Sequence, residues 1–407
     1  MTRSRHTWAM VVAVALLAAA WVWGAHALWT SAELPSLDLP HLDPHDYFSD
    51  AFLNRSATYE RFLVIVSLLA IATLVAVLAL YARHGARLAR ESAAGRVGTG
   101  LLLAMLGFAV VWLAEVPFDL ATLWWQRRYD VSHQGYVSHL VDSFLSLGSQ
   151  FVFVCLGFAI MMGLAGVLRR WWWLAAVPAF VALMLAFTFV SPYLIPDTSP
   201  LENPTLVAEA RALERIEGAP EARLRVQDVH KFTTAPNAES AGLGPSRTIV
   251  LWDTLLRDGF TPAEVRVVIA HEIGHLAHDD QLKGVGWMAL FLLPALGLAA
   301  LVTRRRGGLA RPESVPLALL VLVVAQLVAA PLLNAAFRRE EAAADWAAIE
   351  ATHEPATQRA LMQRLAEKSL ADPDPPGLVY GLFENHPTIM QRIAIAQAWE
   401  EGARAGR

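Results

Sequence analysis

Seven runs of about twenty apolar residues, nearly free of charge, constrain this chain more than any other feature. They lie near 8–28, 62–82, 99–121, 146–168, 171–194, 285–303 and 314–336. A hydrocarbon core about 30 Å thick takes about 20 residues of α-helix to cross, so each run predicts a membrane-spanning helix. Apolar residues make up 55% of the chain and charged residues 17%, whereas soluble domains carry roughly 45–50% and 25%. Intrinsic disorder is excluded by the same composition. Cys155 is the only cysteine, which rules out a disulfide framework. A net charge of -4 argues against a nucleic-acid partner.

Two long polar stretches, about 195–284 and 337–407, flank the last two runs. The expected organisation is an N-terminal five-helix membrane domain over 1–195. A second, aqueous domain follows over 196–407, interrupted by a membrane hairpin at 285–336. The first run, with Arg3, Arg5 and Ala25-His26-Ala27, also fits a cleavable signal peptide, but its length, Trp21 and Trp23 favour a retained helix. Glu115 and Asp119 share one face of the third run. They belong either to a bundle interior or to the interface that Trp124 and Trp125 mark. Arginines give an orientation. Twelve lie in the N-terminus and the second, fourth and sixth loops, against Arg55, Arg61, Arg127 and Arg128 in the first and third. The excess of basic residues on cytoplasmic loops predicts a cytoplasmic N-terminus and an extracytoplasmic aqueous domain.

The chemistry concentrates in His271-Glu272-Ile273-Gly274-His275. Residues i and i+4 share a helical face, so both imidazoles can reach one metal ion. Glu272 can then serve as general base towards a water that the metal activates. Thr261-Pro262-Ala263-Glu264 supplies an N-cap, a proline at N1 and a capping-box acid ahead of Val265, Val268, Ile269 and Leu276. His278 lies roughly 10 Å along the axis from His271, too far to bind the same ion from a continuous helix. A zinc site of this kind needs a third protein ligand and keeps a fourth position for water. The best candidate is Glu341, in Arg338-Arg339-Glu340-Glu341-Ala342-Ala343-Ala344-Asp345. Its alanines would permit close helix packing, and Asp345, one turn on, could accept a hydrogen bond from a ligating histidine. A solvated acidic and basic helix start is the alternative, and Glu340 is the next ligand to consider.

These residues resemble the membrane zinc peptidases typified by the type 1 CAAX prenyl endopeptidase. The resemblance rests on His271-Glu272-Ile273-Gly274-His275 followed by Arg338-x-x-Glu341-x-x-x-Asp345. It extends to Asn237-Ala238, to the segment from Ile249 to Leu256, to His386-Pro387 with Arg392, and to Ser191-Pro192-Tyr193-Leu194-Ile195-Pro196. It covers about residues 190–395, and a weaker likeness surrounds Arg127–Gln134. Phe337 departs from the small residue the family carries before the arginine. The resemblance implies His271, His275 and Glu341 as ligands of one zinc ion per chain and Glu272 as general base. Asp345 becomes a catalytic acid or a group behind the ligands, and Asn237, His386 and Arg392 hold the substrate backbone or its oxyanion.

The fold class expected is mainly α, a polytopic membrane protein of about seven helices with a zincin-type catalytic domain carrying a small sheet. The expected function is a membrane-embedded zinc metalloendopeptidase. A catalytically silent zinc-containing scaffold or assembly factor is the alternative, although such a site has no need of Glu272. Peptide or protein substrates, lipidated or membrane-associated, and membrane lipid are the expected partners. The Ala- and Arg-rich composition points to a bacterial cell membrane, where prenylated substrates are not expected.

Overall fold

The computed structural model describes residues 2–35, 39–257 and 259–405. The first half is almost wholly helical: α1 (Thr2–Thr30), α2 (Asp50–His84), α3 (Gly95–Arg128), α4 (Tyr136–Leu168) and α5 (Trp172–Val190). Strand β1 (Thr198–Pro200), helix α6 (Pro204–Glu217) and strands β2 (Arg223–Gln227), β3 (Ala238–Ala241) and β4 (Thr248–Trp252) follow. Next come α7 (Asp253–Arg257), α8 (Pro262–Ala277), α9 (Asp280–Thr303) and α10 (Val315–Thr352). The chain closes with α11 (Pro355–Ser369), α12 (Gly377–Phe383) and α13 (Ile389–Ala405).

Helices α1 to α5, α9 and α10 occupy the seven apolar runs. Among the described residues, five segments are long and apolar enough to cross a membrane: Asp50–Ala89, Gly95–Arg128, Phe151–Tyr193, Asp280–Arg306 and Pro312–Thr352. Phe151–Tyr193 holds the C-terminal part of α4 and all of α5, which fold back at Arg169–Trp171 so that Phe153 meets Phe187 edge-on at 4.6 Å. The apolar part of α1, Val14–Thr30, is shorter. It docks on α9, where the Trp21 indole donates to the Leu290 carbonyl at 2.7 Å. The protein is therefore an integral, multi-pass membrane protein, and seven remains an approximate span count.

Among the described residues, the two largest clusters of buried apolar side chains sit at either end of the molecule's helical framework. One joins α3, α4, α5, α9 and α10 through Leu103, Phe158, Met162, Trp172, Leu296 and Val315. The other lies beneath the sheet, where Ile249 and Leu251 of β4 meet Ile269 and Ile273 of α8, with Leu361 and Ile393 behind. The sheet runs β1-β2-β4-β3, with β2 and β4 parallel and both outer pairs antiparallel. This order leaves β3 on an edge. Gly242 turns the chain out of β3 at φ +90°, where a Cβ would lie 2.4 Å from the Ser246 carbonyl oxygen. Only glycine fits such a turn without strain.

The arginine-rich turns gather at the membrane end away from the sheet. Arg306 donates to the Ala82 carbonyl at 2.7 Å, tying the α9–α10 turn to the end of α2. The side chains of Arg3, Arg5 and Arg90, which enter the charge count, lie outside the described residues. At the other end Arg339 donates to the Trp29 carbonyl, and Arg223 stacks over Tyr193. An impermeant maleimide tests the orientation that the charge bias implies. A cysteine at exposed Glu202, in a Cys155→Ser background, is expected to react in intact cells; reaction only after permeabilisation would reverse the assignment.

Candidate metal centre

Helix α8 starts as its sequence dictates. The Thr261 hydroxyl accepts from the Glu264 N–H at 3.2 Å, and the Glu264 carboxylate accepts in return from the Thr261 N–H at 2.7 Å. Substituting such a cap by alanine costs about 1 kcal/mol. The helix ends at His278, whose N–H donates back to the Gly274 carbonyl. His278 takes no part in the metal-facing group, as the axial distance requires.

Two helices build the centre by approaching closely. An added Cβ on Gly274 would stand 3.4 Å from both the Ala344 Cα and the Ala347 Cβ, so α8 and α10 pack nearly backbone to backbone. That contact brings Glu341 across from the two imidazoles. The Nε2 atoms of His271 and His275 are 3.2 Å apart. Glu341 oxygens lie 3.2 Å from the first and 3.5 Å from the second. Tetrahedral ligands about 2.0–2.1 Å from a single ion stand about 3.3 Å from one another, so this triad has the spacing of a metal cage. The electrostatics agree. Burial disfavours a charged His271, yet hydrogen bonds to Asp345 and Glu341 outweigh it and lift its pKa to about 9. His275 is likewise raised against burial, by the Glu341 charge and the Asp280 hydrogen bond.

A carboxylate stands behind each imidazole, hydrogen-bonded to His275 and within ion-pair distance of His271. His271 Nδ1 lies 3.0 Å from Asp345, and His275 Nδ1 lies 2.8 Å from Asp280. Asp345 is fully buried and also accepts from Gln358 at 3.1 Å. Arg392 meets it with two donors, Nε at 2.7 Å and Nη2 at 2.6 Å. Those two donors are therefore committed to Asp345, whereas the resemblance had grouped Arg392 with substrate-holding residues. Glu340 lines the same cavity as the triad without belonging to it.

Glu272 is buried beside the triad and faces two cavities. One, of about 500 Å³, extends past Asn237, Asp345 and His386 to Glu60, Asp372 and Glu384. The other, of about 740 Å³, runs between membrane helices and is walled by Phe153, Phe180 and Phe187. Asn237 precedes the edge strand β3 and lines both. His386 Nε2 lies 3.2 Å from Glu341. Burial pushes the His386 pKa down. Glu115 and Asp119 line neither cavity.

Sequence reasoning missed Asp280 and Gln358 as partners of the metal-facing side. A backbone reversal at Asp279 (φ +53°) brings Asp280 back onto His275, and no helical spacing reveals that. A second cluster, Asp228, His230 and Asp253, has ligand-like spacing. Asp253 already accepts from the Val229 and His230 N–H groups and pairs with Arg257, so the cluster braces a loop.

The profile of peptidase family M48 matches residues 200–400. The protease HtpX homologue of Acidiphilium cryptum is 32% identical over 213 residues, covering 47% of this chain and 72% of that protein. The chain belongs to peptidase family M48. A Bacillus subtilis protein described as the uncharacterized metalloprotease YhfN is 28% identical over 302 residues, 71% of each chain. The crystal structure of S. mikatae Ste24p shares the fold, with a TM-score of 0.72 and 17% identity over 93% of this chain and 96% of that one. This M48 protein is thus a membrane metallopeptidase, a metal-dependent hydrolase acting on peptides or proteins.

Removing one member of a buried ion pair costs about 3–5 kcal/mol, because the other is left uncompensated. Arg392→Leu is therefore expected to lower the thermal midpoint of the detergent-solubilised protein, and adding Asp345→Asn should recover part of the loss. A midpoint unchanged by Arg392→Leu would show that the pair holds nothing.

Proposed function

We propose that His271, His275 and Glu341 hold a single zinc ion and that the protein is an endopeptidase cleaving membrane-associated peptides or proteins. The observation that carries this reading is the convergence of two Nε2 atoms and one carboxylate within 3.2–3.5 Å, beside a carboxylate that no such cage requires. When bound, zinc supplies Lewis-acid polarisation of the scissile carbonyl and acidifies water. Glu272 takes the proton of the attacking water and delivers it to the leaving amine. Asp345 fixes the His271 ring through Nδ1, so its role is orientation, and Arg392 fixes Asp345 in turn. The substrate lies extended along the outer edge of β3, whose Ser240 carbonyl Gln281 already holds, and adds a strand at the Ala238 end. Asn237 holds its backbone at the start of that edge, and His386 donates to charge developing on the carbonyl oxygen.

The second cavity supports a membrane-associated substrate, since one wall carries Glu272 and the facing wall carries phenylalanines of α4 and α5. A silent scaffold fits less well, because it gives no role to Glu272 or to two cavities meeting at it.

Glu272→Gln keeps the side-chain volume and removes the base. It is expected to retain zinc at the wild-type level while hydrolysis of a peptide library falls by about 10²–10⁴-fold. Activity above a few per cent of wild type, with a chelator control excluding contaminants, would reject Glu272 as base. His271→Ala and Glu341→Ala should instead lower zinc content measured by elemental analysis. Full occupancy in Glu341→Ala would place the third ligand elsewhere.

A further inference from the structure

Asp280 is the first residue of membrane helix α9, yet its carboxylate points back at helix α8. The left-handed conformation at Asp279 makes this possible, by ending α8 and starting α9 without a continuous helical path. One Asp280 oxygen meets His275 Nδ1 at 2.8 Å. The other accepts from the Lys283 ammonium at 2.9 Å, one turn further along α9. All three side chains are largely withdrawn from solvent, at 12%, 8% and 13% exposure for His275, Asp280 and Lys283. The carboxylate is therefore held at both oxygens, one on the His275 ring and one on Lys283. Gln281, the next residue of α9, donates to the Ser240 carbonyl on strand β3 at 2.7 Å, so the same turn also grips the sheet edge.

We propose that Asp280 is the positioning residue for His275, with Lys283 as its clamp, so that docking of the α9–α10 membrane hairpin against α8 sets metal retention. The inference rests on the reading of His271, His275 and Glu341 as the zinc-binding set. A carboxylate accepting from Nδ1–H fixes the tautomer that leaves Nε2 free for the metal, and raises its basicity. Losing such a partner typically costs 10–100-fold in metal affinity. Asparagine at this position can still accept from Nδ1–H, so orientation survives while charge is lost. Without Lys283 the Asp280 carboxylate can rotate away from the ring, which predicts a smaller loss of the same kind.

The test is zinc affinity of the full-length protein in detergent, measured by competition with a chromogenic chelator. Wild type, Asp280→Ala, Asp280→Asn and Lys283→Met are compared, with the metal-free thermal midpoint of each as a control. Asp280→Ala is expected to weaken zinc binding by about 10–100-fold. Asp280→Asn should recover most of that loss, and Lys283→Met should lie between. If Asp280→Ala fails to fold, Asp280→Asn and Lys283→Met decide: faster zinc release from Lys283→Met, at an unchanged metal-free midpoint, supports the clamp. Wild-type affinity in both Asp280→Ala and Lys283→Met overturns the inference, as does an Asp280→Asn loss equal to that of alanine. A wild type that binds no zinc overturns the zinc reading itself.

Discussion

Everything at this centre depends on how closely α8 and α10 approach. Gly274 against Ala344 and Ala347 removes the side chains that would otherwise hold the two helices about 8–10 Å apart. At that separation Glu341 would not reach the imidazoles, and Asp345 would not reach His271 Nδ1. Ala344 and Ala347 thus shape the centre as much as the metal-facing residues do. The cost of burying so many charged groups is offset by pairing: Asp345 with Arg392, and Asp280 with Lys283. Buried charge without such partners is strongly destabilising.

The membrane helices do more than anchor this arrangement. Helix α10 runs from the arginine-rich end of the bundle to Thr352 without a break, so one element crosses the membrane and carries both Glu341 and Asp345. Helix α9 begins one turn beyond the second histidine. The centre is consequently built half from the sheet-bearing part of the chain and half from the ends of a membrane hairpin. Its two cavities follow that division, one bounded largely by α2, α11 and the segment around His386, the other by α4 and α5.

Much of this was legible in the sequence. The seven apolar runs became seven helices because hydrocarbon leaves a backbone no alternative to internal hydrogen bonding. The capping box at Thr261 and Glu264 fixed the start of α8, and i, i+4 spacing placed His271 and His275 on one face. The Glu341 and Asp345 spacing was likewise visible, because both sit in one unbroken helix. The Asp280 contact was hidden, since it depends on a left-handed residue between two helices. The pairing of Arg392 was hidden for a related reason: a motif gives its distance from His386 along the chain, but only packing of α13 against α10 shows that Nε and Nη2 face Asp345. Helical periodicity carries information within an element and loses it where the chain changes direction.

The central claim is that two imidazoles and one carboxylate, all from this chain, form an open zinc site. X-ray absorption at the zinc edge on the purified protein tests it most directly. The account predicts a four-coordinate shell of light atoms, with two imidazole nitrogens and carboxylate oxygen at about 2.0–2.2 Å and one position left to water. A shell containing sulfur at about 2.3 Å, or four imidazole or carboxylate ligands with no exchangeable position, would contradict it.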